Sequence, residues 1–138
     1  MDKIIDMQFM RYLNLFERIS RVRTKHCGIY NSTIIFFVDA SEAARAIGEK
    51  GRNIRRIGEI LNRKVKVVAL PRDAMEISRF IEMIVYPVKF RGIEVNSEEI
   101  VINAGRMSKA ALIGRNRARQ EELEKITKEH LNKGVRIV

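Results

Sequence analysis

The sequence lacks the features that mark disulfide-built secreted proteins and membrane proteins. Cys27 is the only cysteine, so no disulfide can form within one chain. The longest apolar run is Ile34–Val38, far shorter than the roughly 20 residues that a membrane-spanning helix needs. Asp2, Lys3 and Asp6 interrupt any signal-peptide pattern at the start of the sequence. These absences predict a cytoplasmic protein without a membrane partner.

Signatures of catalysis are also lacking. No Gly-Lys-Ser/Thr follows a glycine loop, so a nucleotide-binding P-loop is not predicted. No Ser-His-Asp arrangement is apparent, and the acidic pairs Glu98-Glu99 and Glu121-Glu122 are interpreted as solvated surface. We therefore predict that the protein is not an enzyme and that it uses neither a cofactor nor a small-molecule substrate.

Acidic residues are the minority among the charged residues. Lys and Arg number 27 against 17 Asp and Glu, which gives a formal net charge of +10. Such an excess is typical of proteins that bind a polyanion. With 46% apolar residues, the chain is predicted to fold into a compact structure and not to be disordered.

Hydrophobic periodicity predicts the same series of elements twice, in the order helix, strand, strand, helix, helix, strand. In the first half these are a helix over 4–21, strands over 27–30 and 34–38, a short helix from a Ser41 cap to Ile47, a helix with Ile54, Ile57, Ile60 and Leu61 on its apolar face, and a strand over 65–70. In the second half they are a helix over 74–84, strands over 88–95 and 100–104, a helix over 107–113, a helix carrying Leu123 and Ile126, and a strand over 135–138.

The two halves align with a constant offset. Gly48 and Gly114 each follow an isoleucine and lie 66 residues apart, and the same offset places Ile34 on Ile100. This repetition predicts an α+β protein of two domains, residues 1–71 and 72–138.

The most informative segment is a four-residue loop in which Gly48 and Gly51 bracket two polar residues. Glycine permits close approach of a ligand to the backbone, and the helix that starts after Gly51 presents its positive end to an anion. A Gly-X-X-Gly loop between helices is how KH modules hold about four nucleotides of single-stranded nucleic acid, although the same tetrapeptide also forms ordinary tight turns. The predicted RNA-binding residues of this half are Ile47, Gly48, Glu49, Lys50, Gly51, Arg52, Asn53, Ile54, Arg55, Arg56 and Lys66.

The second half carries a related loop that departs from the pattern. Arg117 stands where the closing glycine is expected, so the backbone is predicted to approach a phosphate less closely, while the arginine itself can make a bidentate phosphate contact. The predicted RNA-binding residues here are Gly114, Arg115, Asn116, Arg117 and Arg119.

The chain resembles the archaeal NusA-like transcription factors. The resemblance rests on Ala46–Ile54, on Lys64–Val68, on Arg11–Glu17 and on Cys27. It implies two tandem type II KH domains, each with a small mixed sheet covered by helices. It also implies binding of single-stranded RNA in transcription termination or antitermination, with RNA polymerase or the elongation complex as a partner.

In this interpretation, RNA bases lie across an apolar groove. Ile47 and Ile54 are expected on its floor and the strand over 65–68 at its other wall, although ordinary core packing explains Ile54 equally well. The alternative is a ribosome- or polymerase-associated docking module that uses its basic faces on acidic protein surfaces.

Overall fold

In a computed structural model that describes residues 7–138, the chain divides into two units, one ending at Leu70 and the other beginning at Pro71. The first unit consists of α1 (Met7–Ser20), β1 (His26–Tyr30), β2 (Thr33–Val38), α2 (Ala40–Ile47), α3 (Arg52–Leu61) and β3 (Lys64–Ala69). The second consists of α4 (Ile77–Val85), β4 (Gly92–Val95), β5 (Glu99–Asn103), α5 (Lys109–Ile113), α6 (Ala118–Leu131) and β6 (Gly134–Ile137). The predicted mixed α+β architecture is confirmed.

The sheet of the first unit has β2 at its centre. This strand pairs antiparallel with β1 and parallel with β3, which makes the sheet mixed. Asn31 and Ser32 connect β1 to β2, both with positive φ (51° and 62°), as a two-residue hairpin turn of type I′ requires. The predicted hairpin is therefore confirmed, and β2 is buried along both faces, as its β-branched and aromatic run indicates.

Helices α1, α2 and α3 pack on one face of this sheet. Phe16 of α1 stacks on Phe36 of β2 with ring centroids 4.3 Å apart, and Ala46 and Ile57 join the same buried cluster from α2 and α3. Burying each such side chain contributes about 1.5–3 kcal/mol. The core thus fixes the positions of the two helices that flank the glycine loop.

The second unit repeats this topology. β5 pairs antiparallel with β4 and parallel with β6. Ile100 and Leu123 are fully buried, as are Ile34 and Ile57 at the positions 66 residues earlier. The offset changes after α6, because this helix has 14 residues where α3 has 10.

Several predicted boundaries are wrong. Asp39, not Ser41, precedes α2, and its carbonyl accepts a hydrogen bond from the Glu42 amide. β4 begins at Gly92 and not at residue 88. Met75 and Met107 are 90% and 92% exposed and lie before α4 and α5. The first residues of the predicted N-terminal helix, at positions 4–6, lie outside the described residues.

Candidate nucleic-acid interface

The first position of the glycine loop has a backbone conformation that side chains do not tolerate. Gly48 has φ 83° and ψ 164°, a region essentially restricted to glycine. A Cβ there would lie 2.9 Å from both Cγ and Nδ2 of Asn53. Asn53 is held in place because its Nδ2 donates a hydrogen bond to the carbonyl of Arg45 at 3.1 Å. Glycine is thus required here by both conformation and space.

The rest of the loop turns the chain directly into α3. Lys50 and Gly51 both have left-handed conformations, with φ of 54° and 74°, and the Gly51 amide donates to the Gly48 carbonyl at 3.0 Å. Gly51 has no side chain with which to cap the first amides of α3, and the first turn, whose residues are all described, holds no acidic side chain. An anion is therefore favoured at this helix end.

Exposed cations surround this helix end. Lys50, Arg52, Arg55 and Arg56 are all exposed, and Glu49 is the one acid in the segment from 49 to 56. The Arg55 guanidinium donates a hydrogen bond to the Lys50 carbonyl, so its charge is fixed beside the loop. The loop therefore combines backbone donors with mobile and fixed positive charges.

The predicted apolar groove residues serve the core as well. Ile47 and Ile54 are half-buried and pack against the buried cluster of the first unit, so each also has a surface that is open to a ligand. On β3, Val65 and Val67 face that same cluster, which places Lys66 on the opposite face of the sheet. Partial burial lowers the pKa of Lys66. The structure does not bring Lys66 together with the glycine loop.

The second loop has the same backbone as the first despite its different sequence. Gly114 has φ 77° and ψ 168°, Asn116 has φ 55°, and Arg117 has φ 64° and ψ 20°, close to the values of Gly48, Lys50 and Gly51. The expectation that Arg117 changes the loop conformation is wrong. A Cβ on Gly114 would lie 2.7 Å from Cγ of Arg119, so the first glycine is required here too.

Arg117 is accommodated because the fourth loop position has room for a side chain. A Cβ built on the equivalent Gly51 meets no atom closer than 3.6 Å. The remaining cost is conformational, since a non-glycine residue in the left-handed region is disfavoured by about 1 kcal/mol.

The charges that follow the two loops differ in sign. At the offset of 66 residues, Arg55 and Arg56 of α3 correspond to Glu121 and Glu122 of α6. Arg119 is partly buried and forms an ion pair with Glu122 at 3.3 Å, whereas Arg115 and Arg117 are exposed. The second loop therefore presents a weaker positive field to a phosphate.

Sequence reasoning missed three arginines near the first loop. Arg45 links the loop to the end of α1, because its carbonyl accepts from Asn53 and its Nη2 donates to the Arg21 carbonyl at 3.3 Å. Arg18 and Arg21 lie beside the Arg52 and Arg56 side of α3. These contacts join residues far apart in the chain, so no local spacing announces them.

Comparison with known proteins bears on the first unit most directly. Residues 11–72 match the sequence profile of the KH domain. The chain is also similar to a solved structure titled "Crystal structure of APE1850", with 28% identity and a TM-score of 0.64 over 97% of this chain and all of that one. No curated protein matches the sequence.

None of the helices within residues 7–138 has the length and apolar character needed to cross a bilayer. The matched segment contains α1, the sheet of the first unit and the intact glycine loop with its cations. KH domains bind nucleic acid, chiefly single-stranded RNA, with such a loop against the backbone. Residues 11–72 are therefore a KH domain, and RNA binding is the activity that this fold implies.

Proposed function

We propose that this protein binds single-stranded RNA through Gly48–Gly51 and the first turn of α3. The observation that carries the proposal is the coincidence of a glycine-restricted loop, an acid-free helix N-terminus and four exposed cations in one KH domain. Backbone amides and arginine side chains contact phosphates, while Ile47 and Ile54 offer apolar surface to bases. Because most such contacts are to phosphate and sugar, sequence selectivity is modest.

We further propose that the second unit is a KH domain and forms a tandem pair with the first. Its strand order, pairing directions and loop dihedral angles support this assignment. Its weaker positive field favours a secondary role, in which it extends the RNA contact made by the first unit.

The resemblance to archaeal NusA-like factors supports a non-enzymatic role in transcription termination or antitermination in the cytoplasm, with RNA polymerase as a partner. Crosslinking in cells followed by sequencing of attached RNA tests this role. Enrichment near transcript ends is expected, and enrichment on ribosomal RNA alone would contradict it. Co-purification with polymerase or ribosomal proteins that survives nuclease treatment would instead support a protein-docking module.

RNA binding itself is tested by fluorescence anisotropy with a labelled ten-nucleotide oligouridine. Log affinity is expected to fall linearly with log salt, by about 0.7 for each phosphate contact. A flat salt dependence, or equal binding of an uncharged oligomer, would show that the net charge of +10 serves another purpose.

A further inference from the structure

A groove runs between α1 and α3 on the side of α3 that faces away from β3. It encloses about 650 Å³. Four arginines line it, and of the described residues on its walls none is acidic; they are Arg18, Arg21, Arg52 and Arg56. Its apolar surface comes from Leu15, Ile19 and Ile60, and Ile60 is 54% exposed although its helical spacing predicts a core-facing residue.

The spacing of residues on α3 gives this groove a direction. Arg52, Arg56 and Ile60 recur every four residues, so they form one stripe along roughly 12 Å of helix. Arg52 is the first residue of α3 and directly follows Gly51. The groove therefore begins where the glycine loop ends.

The start of the groove is held in place by hydrogen bonds. Arg45 bridges the Arg21 carbonyl at the end of α1 and the Asn53 side chain in the first turn of α3. Arg21 itself has a left-handed conformation with φ 63°, just after Ser20 ends the helix. The backbone that carries Arg21 is thus tied to the first turn of α3, close to the proposed phosphate site.

We propose that single-stranded RNA leaving the glycine loop continues into this groove, so that the first unit contacts more nucleotides than the loop alone can hold. This inference rests on the proposed RNA binding. The guanidinium groups present forks that match phosphate oxygens, and the leucine and isoleucines provide apolar surface for unstacked bases. Continuity with the loop through Arg52 favours RNA over an acidic protein segment, for which no such continuity would be needed.

The second unit offers an internal comparison. The buried positions 12, 15 and 16 of α1 match 77, 80 and 81 of α4 at an offset of 65 residues. By this alignment and the loop alignment, the residues that replace the four arginines are Met83, Tyr86, Ala118 and Glu122. None carries a positive charge, so the topology shared by the two units does not require arginine at these positions.

The experiment compares four- and ten-nucleotide oligouridines on the full chain. In the variant Arg18→Gln/Arg21→Gln, affinity for the decamer is expected to fall about tenfold and its salt slope to become shallower by about 1.4. Affinity for the tetramer is expected to be unchanged, because the glycine loop holds about four nucleotides. The control Arg11→Gln/Arg23→Gln removes the same charge from exposed residues outside the groove and is expected to bind both oligomers like the wild type.

Each other result is decisive. If the wild type binds the decamer no more tightly than the tetramer, or if the control loses as much affinity as the groove variant, the groove proposal is overturned while loop binding stands. If the wild type binds neither oligomer, both proposals are overturned. If an acidic amphipathic peptide binds and is lost in the groove variant while decamer affinity is unchanged, the groove belongs to a protein partner. Both arginines are exposed, so thermal unfolding midpoints are expected to match.

Discussion

The loops at Gly48 and at Gly114 have nearly the same backbone and different charge. Their first residues differ by 6° in φ and 4° in ψ (83° and 164° against 77° and 168°), and their fourth residues differ by 10° in φ (74° against 64°) although one is glycine and the other is arginine. Beyond the loops, two arginines in one helix are replaced by two glutamates in the other. Loop conformation and anion affinity are therefore set by separate residues, and each can be changed without the other.

The largest expected effect comes from the first loop position. Gly48→Ala and Gly114→Ala each force a side chain into a conformation restricted to glycine and against Asn53 or Arg119. Each is expected to lower the free energy of unfolding by about 3 kcal/mol, measured by urea denaturation. Equal losses would confirm that the two loops are the same structural device, and a loss at only one would break the comparison.

The second prediction separates the loops by affinity. Glu49→Asp/Lys50→Asp is expected to weaken binding of a ten-nucleotide RNA by at least about tenfold, because an acid replaces a phosphate contact. Arg115→Asp/Asn116→Asp makes a larger change in charge but is expected to cost less. Anisotropy titrations of both variants decide the order. If the second-loop variant is the more damaging, Arg117 is a working contact and the intact glycine motif does not mark the stronger site.

The third prediction concerns the fourth loop position. Arg117→Gly relieves a left-handed side chain and is expected to stabilise the protein by about 1 kcal/mol, whereas Gly51→Ala is expected to destabilise it by a similar amount. Both are measured by urea denaturation. A destabilised Arg117→Gly variant would show that the arginine makes contacts worth more than its conformational cost.

The smallest expected effect exchanges one charge between the helices. Arg55→Glu is expected to weaken RNA binding about threefold, and Glu121→Arg to strengthen it by a similar factor, through the field at the helix N-terminus. Stability is expected to change in the opposite sense, because an acid in the first turn favours the helix by about 0.3–1 kcal/mol. Parallel changes in affinity and melting temperature would contradict this.

The order of elements was predictable because each helix and strand carries its own periodicity. Ile34–Val38 and the Asn31-Ser32 turn indicated a hairpin before any long-range contact was known, and the pairing is as expected. Boundaries were less accurate where an apolar residue lies outside its element. Met75 and Met107 extend the hydrophobic pattern by one turn, yet both are exposed, since periodicity does not show where packing partners end.

The candidate site was only partly readable from sequence. The glycine loop announced itself, but the face on which Lys66 lies depends on which neighbours, Val65 and Val67, enter the core. The conformation of Arg117 was misjudged, because a glycine pattern does not reveal whether its positions need space or only a left-handed backbone. Gly48 needs both and Gly51 only the second.

The different lengths of α3 and α6 have a consequence for how such a unit can be modified. Both helices end at an asparagine in the left-handed conformation, Asn62 and Asn132, and the following strands pair in matching register, Ile34 with Val65 and Ile100 with Val135. Four added residues complete about one turn and leave roughly 40° of rotation, so the helix re-enters the sheet almost where it would have done. A chimera can therefore gain or lose a whole helical turn at this point with its nucleotide-facing end and its strand order preserved.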